Sequence, residues 1–156
     1  MKEPSTKDVL EKLENVTTIA EGMDYIKNNA ESYSEKTFTD FFNKYLADHP
    51  DKNLPEIIDN SLIKREYAYE IINGSKNGSR DRIIALCFAA GMNRDEVNHG
   101  LTYSENKLLY AKNNRDATII LALNKREKKN TIYQTVLQLN DLLESNGYEA
   151  LKTFGR

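Results

Sequence analysis

Apolar residues recur along this chain at three- and four-residue intervals, strand-like alternation is absent, and only 7 glycines and 3 prolines interrupt 156 residues. That pattern is the signature of amphipathic helices and predicts an all-α fold. The first stripe is Val9, Leu10 and Leu13, with Ser5 placed to cap its helix and Asp8 three residues on. A second helix is expected from Thr17 or Thr18, carrying Ile19, Met23, Ile26 and Ala30 on one face.

Phe38, Phe41, Phe42, Tyr45 and Leu46 predict a strongly apolar helix that must stop before Pro50, because proline disfavours helix in the residue before it. Asn53 as a cap, Pro55 near the first helical position and the pair Ile57, Ile58 predict a short helix ending around Asn60 to Leu62. After a turn of about three residues a further helix is expected from Lys64 to Ile72, closed by Asn73-Gly74 as a left-handed cap. Ser79 should cap a longer helix through Ile83, Ile84, Leu86, Cys87, Phe88 and Ala89 that stops at Gly91, and Asn93 another through Val97. Five short helices are thus expected between Thr37 and Gly100.

The last third predicts a helix through Ala117, Ile119, Ile120, Leu121 and Leu123, a solvated charged loop over Lys125 to Lys129, and a helix through Ile132, Val136, Leu139, Leu142 and Leu143 ending near Asn146-Gly147. One echo runs through this region. Ser79-Arg80-Asp81 followed by Ile83, Ile84 and Leu86 recurs 35 residues later as Asn114-Arg115-Asp116 followed by Ile119, Ile120 and Leu121. Two copies read as a similar capped core helix used twice, with a true duplication as the less favoured alternative.

Charge modifies the picture little as a whole and more in detail. The formal net charge is −2, with −5 over residues 1–51, zero over 52–100 and +3 over 101–156, so a nucleic acid would have to be met by a local patch. The opening MKEPSTKDVLEKLE leads into no apolar stretch and no run approaches the ~20 apolar residues of a membrane span, so the cytoplasm is the expected location. The single cysteine, Cys87, lies in the apolar run IIALCFAAG and reads as a small core hydrophobe. His49 and His99 are far apart in sequence, no nucleophile elbow or phosphate-cradling loop is present, and Gly74 to Gly78 follow a helix C-terminus, the wrong end for an anion. No enzyme, metal site or cofactor is expected.

The segment Phe38–Gly100 resembles the XRE-type, lambda-repressor-like helix-turn-helix domain. Leu54-Pro55-Glu56-Ile57-Ile58 stands in the supporting-helix place, Ile63-Lys64-Arg65-Glu66-Tyr67-Ala68-Tyr69 in the recognition-helix place, and Ile71 to Ser79 in the closing stretch. More narrowly, Lys64 to Tyr69, Asn73-Gly74, Ser79-Arg80-Asp81, Leu109-Tyr110 and Asn114-Arg115-Asp116 resemble a group of XRE-like proteins from Gram-positive bacteria over roughly residues 37–150. The chain departs from the pattern at Leu54, where many members place a phosphate-touching glutamine, and at Leu62, where the turn usually carries glycine.

The resemblance implies a helix-turn-helix bundle of about five short helices at 37–100, with N-terminal helices at 1–36 and a C-terminal helical extension at 101–156. It implies a non-enzymatic regulator of transcription that reads the major groove of double-stranded DNA with the 64–72 helix. The candidate contacts are Lys64 and Arg65 at the start of that helix, Tyr67 and Tyr69 on it, and Lys76, Asn77, Ser79 and Arg80 after it, where phosphates are gripped; the alternatives are tyrosines packed between helices, Arg80 paired with Asp81 or a neighbour, and solvated lysines. With Ala68, Ile71 and Ile72 facing the core, Glu66, Tyr69, Glu70 and Asn73 face outward. Proteins of this type commonly bind as homodimers, for which the stripe over Ile132 to Leu143 offers a pairing face; packing on its own domain is the preferred reading of that stripe. The alternative, motivated by the zero charge of residues 52–100, is a helix-turn-helix scaffold acting as an adaptor toward a protein partner.

Overall fold

Seven helices and no strand make up the described residues, 37–127 and 133–154 of the computed structural model, so the all-α class holds where a bundle of about five helices and an extension was expected. The chain divides into two compact units, residues 1–36 and 37–156. The first, with both helices expected in it, lies outside the described residues, as do Lys128, Lys129 and Ile132.

Helix α1, Phe38–Asp48, starts at a capping box between Thr37 and Asp40 and buries Phe38, Phe42 and Tyr45. Asn53 caps α2, Leu54–Ser61, with Pro55 in its first turn, where a missing N–H costs nothing. Three residues, Leu62 to Lys64, then turn the chain into α3, Arg65–Asn73, which ends on Gly74 at φ 87°. Leu62 is left-handed at φ 62°, a conformation that costs a side-chain-bearing residue roughly 1–2 kcal/mol. Its side chain packs against the core, and the Ser61 hydroxyl, donating to Ile58 O, accepts the Ile63 amide, so packing and hydrogen bonds hold the turn where glycine would adopt it unaided.

The molecule is organised around α4, Arg80–Ala89, in which every residue from Arg82 to Phe88 is buried. A helix apolar on all sides belongs inside, and α2 and α5 (Arg94–Tyr103) pack against it while α1 covers α3 and α5. Gly100 permits the close approach of α5, since a Cβ there would lie 2.9 Å from the Cys87 sulfur. Helix α6, Asn114–Glu127, packs on α7, Val136–Ser145, and on α5; α7 also reaches α2 and α4. The stripe of α7 serves its own domain, with Val136, Leu139 and Leu143 buried.

The echo seen in the sequence is larger than one helix. Capping boxes open α5 (Asn93 with Glu96) and α7 (Thr135 with Gln138) 42 positions apart. At the same spacing, Asn106 N–H donates to Leu101 O and Tyr148 N–H to Leu143 O, and the left-handed residues Glu105 (φ 61°) and Gly147 (φ 83°) precede those donors. The tails that follow are pinned alike: Leu109 N–H donates to Asn98 Oδ1 at 3.0 Å and Leu151 N–H to Asn140 Oδ1 at 2.9 Å. In the leading helices Ile84, Cys87 and Phe88 are buried, as are Ile119, Ala122 and Leu123 at a spacing of 35. Helix, helix and tail therefore occur twice, as α4–α5 with its tail and as α6–α7 with its tail.

The charged stretch from Lys125 departs from the expected loop. Lys125 to Glu127 finish α6, and Arg126 is half-buried: its guanidinium lies 4.3 Å from the centre of the Phe88 ring and donates to the carbonyls of Phe88 and Met92. Arg126 thereby covers carbonyls at and beyond the end of α4 and ties the last turn of α6 to it.

Candidate nucleic-acid interface

Helix α3 differs from its neighbours at its N-terminus. Thr37, Asn53, Ser79, Asn93, Asn113 and Thr135 each place a side-chain oxygen on an amide at the start of the other six described helices. Lys64, in the cap position of α3, makes no such bond. No side-chain oxygen covers the first amides of α3, which lie beside exposed Lys64 and Arg65 at the positive end of the helix dipole, with Glu66 in the same turn.

Ala68, Ile71 and Ile72 are buried as the stripe required, which turns Glu66, Tyr69 and Asn73 outward, with Tyr69 38% exposed. Arg65 stands 3.7 Å from Asp59 with both side chains more than half exposed, a contact worth well under ~1 kcal/mol and open to competition by another anion. Around α3 the charges balance, Lys64, Arg65 and Lys76 against Asp59, Glu66 and Glu70.

Besides this weak contact of Arg65, three of the eight sequence-derived contact residues are held by interactions within the protein. Tyr67 is half-buried, its ring centre 4.6 Å from the guanidinium of buried Arg82, which also donates to Phe154 O. The Ser79 hydroxyl oxygen accepts the Arg82 amide as the cap of α4. Arg80 forks onto Asp116 at 3.2 and 2.7 Å and donates to the carbonyls of Lys107 and Leu108.

The remaining five are exposed, in two groups. Lys64, Arg65 and Tyr69 belong to the first half of α3, whereas Lys76 and Asn77 follow its far end, roughly 13 Å along the axis. Lys76 and Asn77 line a groove of about 680 Å³ with Thr37, Thr39, Asn73 and Asn106.

What the sequence reading missed is the partner of Arg80. The mirror-image pair is present as well: Arg115 forks onto Asp81 at 3.2 and 3.0 Å and donates to the carbonyls of Glu149 and Ala150. Each aspartate in turn accepts a tail amide, Asp116 from Tyr110 and Asp81 from Lys152, both at 2.9 Å. The repeated Arg-Asp dipeptide was the available signal, but its reciprocal pairing is a property of the fold.

Among the described residues no cluster of three or more His, Cys, Asp or Glu side chains is placed to hold a metal, and no helix is long and apolar enough to cross a membrane. Burial pushes the Cys87 thiol far up, which keeps it protonated and unreactive at neutral pH. No protein-family model, no curated protein and no solved structure matches the chain.

Proposed function

We propose that this chain is a non-enzymatic DNA-binding protein of the helix-turn-helix type that presents the first half of α3 to the major groove. The observation that carries the reading is the uncapped N-terminus of α3, reached from α2 through a three-residue turn and flanked by exposed Lys64 and Arg65. Free amides at a helix start and two cations suit a phosphate backbone or the acceptor edge of guanine. Tyr69 adds a donor on the same face, and Lys76 and Asn77 offer a second backbone contact beyond the far end of the helix. Ser79 and Arg80 are left out of this interface because their polar groups serve internal contacts, and Tyr67 because its half-buried ring packs over Arg82. With the local charge balanced, affinity is modest and rests on few phosphates, so it falls only gently as salt rises.

The test is selection from a random-sequence duplex library at low and moderate salt, alongside the Lys64→Ala/Arg65→Ala variant. A defined site enriched by the natural chain and lost by the variant supports the reading; no retention even at low salt overturns it.

A second reading, an adaptor that binds a protein, is favoured by one surface. Leu62, Leu137, Ala150, Leu151 and Phe154 line a groove of about 430 Å³ between the turn and α7, with Leu137 58% and Phe154 79% exposed. Large apolar side chains so exposed on one groove suit a protein ligand better than a nucleic acid.

A further inference from the structure

The two Arg–Asp pairs join the N-termini of α4 and α6, the corresponding helices of the repeated unit. Arg80-Asp81 and Arg115-Asp116 are each a cation followed by an anion, and each cation takes the other dipeptide's anion. Every member has a second task in a tail. Arg80 holds the carbonyls of the first unit's tail, whose Tyr110 amide goes across to Asp116; Arg115 holds the carbonyls of the second unit's tail, whose Lys152 amide goes across to Asp81. Each tail is thus gripped by the arginine of its own unit and the aspartate of the other.

We infer that these four side chains form one cooperative lock, so that loosening either pair releases both tails. The physical reason is adjacency. The residues sit side by side on two helix starts, so a shift that opens the Arg80–Asp116 fork moves the Asp81 carboxylate that Arg115 and the Lys152 amide require. The pairs are also shielded, with side-chain exposures of 26% and 7% in one and 22% and 19% in the other, so neither half exchanges freely into water. Forked, partly buried charge pairs are geometrically exacting, and removing one partner strands the other. The lock is a conformational device: it closes the second tail, Glu149–Phe154, over the start of α4, where Phe154 O meets Arg82.

Native-state hydrogen exchange of the full chain tests this at two amides, Tyr110 and Lys152, with Leu86 in the core of α4 as reference. In Asp116→Asn, which directly weakens the Arg80 fork and the bond to Tyr110 but touches neither Arg115–Asp81 nor the Lys152 amide, both amides should exchange about tenfold faster or more while Leu86 is unchanged, the factor expected when a hydrogen bond to a charged group is lost. Acceleration at Tyr110 with Lys152 within twofold of the natural chain overturns the single lock in favour of two independent pairs. Equal acceleration at all three amides also overturns it, because the opening is then global. Should Asp116→Asn fail to fold, Arg115→Lys, which keeps the charge and loses the fork, is read by the same criteria with the roles of the two amides exchanged.

Discussion

Leu86 and Leu121 occupy the same place in the two copies of the helix-pair unit, yet the first is fully buried and the second 50% exposed. The local geometry of the copies is shared down to capping boxes, left-handed residues and asparagine-pinned tails. Their surroundings differ: α4 is packed by α2 and α5 and touched by α7, whereas α6 is covered chiefly by α7 and α5. One unit became the centre of the molecule and the other its flank. Chain path within a unit is set by caps and turns; how much each position contributes to stability is set by what packs on it.

The largest break in the comparison should come from Leu86→Ala, expected to cost about 2–5 kcal/mol, against under about 0.5 kcal/mol for Leu121→Ala, by urea denaturation. Alkaline unfolding should report the first unit specifically. Tyr45 donates to Ala90 O at 3.1 Å in the cover of α4, and burial, with Glu96 nearby, raises its pKa from 10.0 to about 12. Its folded-state pKa is raised, so the stability it contributes is intact below pH 10 and lost as pH climbs from 10 toward 12. Tyr45→Phe should reduce that slope in thermal melts taken across the window.

The asparagine pins come next. Asn140 is buried and Asn98 half-buried, so Asn140→Ala should cost about 1–3 kcal/mol by stranding the Leu151 amide, and Asn98→Ala less, in chemical denaturation. The smallest effect has opposite signs in the two copies. Glu105→Gly should stabilise by about 0.5–1 kcal/mol, because glycine adopts the left-handed conformation without strain, whereas Gly147→Ala should destabilise by about 1 kcal/mol. Melting temperatures that move in the same direction in both variants would break the equivalence of the two turns.

The sequence carried the helix starts and stops well, because they rest on local chemistry: Asn53, Ser79 and Asn93 cap where expected, and Gly74 and Gly91 close helices with positive φ. It did not carry the left-handed turn at Leu62, which leucine disfavours and tertiary packing imposes. Nor did it carry the fate of Arg80 and Arg126, since their partners at Asp116 and Phe88 lie 36 and 38 residues away. Nor did it carry the place of Tyr67, which the resemblance offers to DNA and whose ring instead lies over the buried Arg82. Of the candidate interface, the exposed cations at the start of α3 were legible, while the absence of a cap there emerged only beside the six helices that have one.

Amide chemical-shift mapping during titration with a selected duplex at low salt tests the proposed interface most directly. The account predicts shifts concentrated at Lys64 to Glu66 and Tyr69, with smaller ones at Lys76 and Asn77. Shifts absent from α3, or confined to Leu62, Leu137 and Phe154, would contradict it.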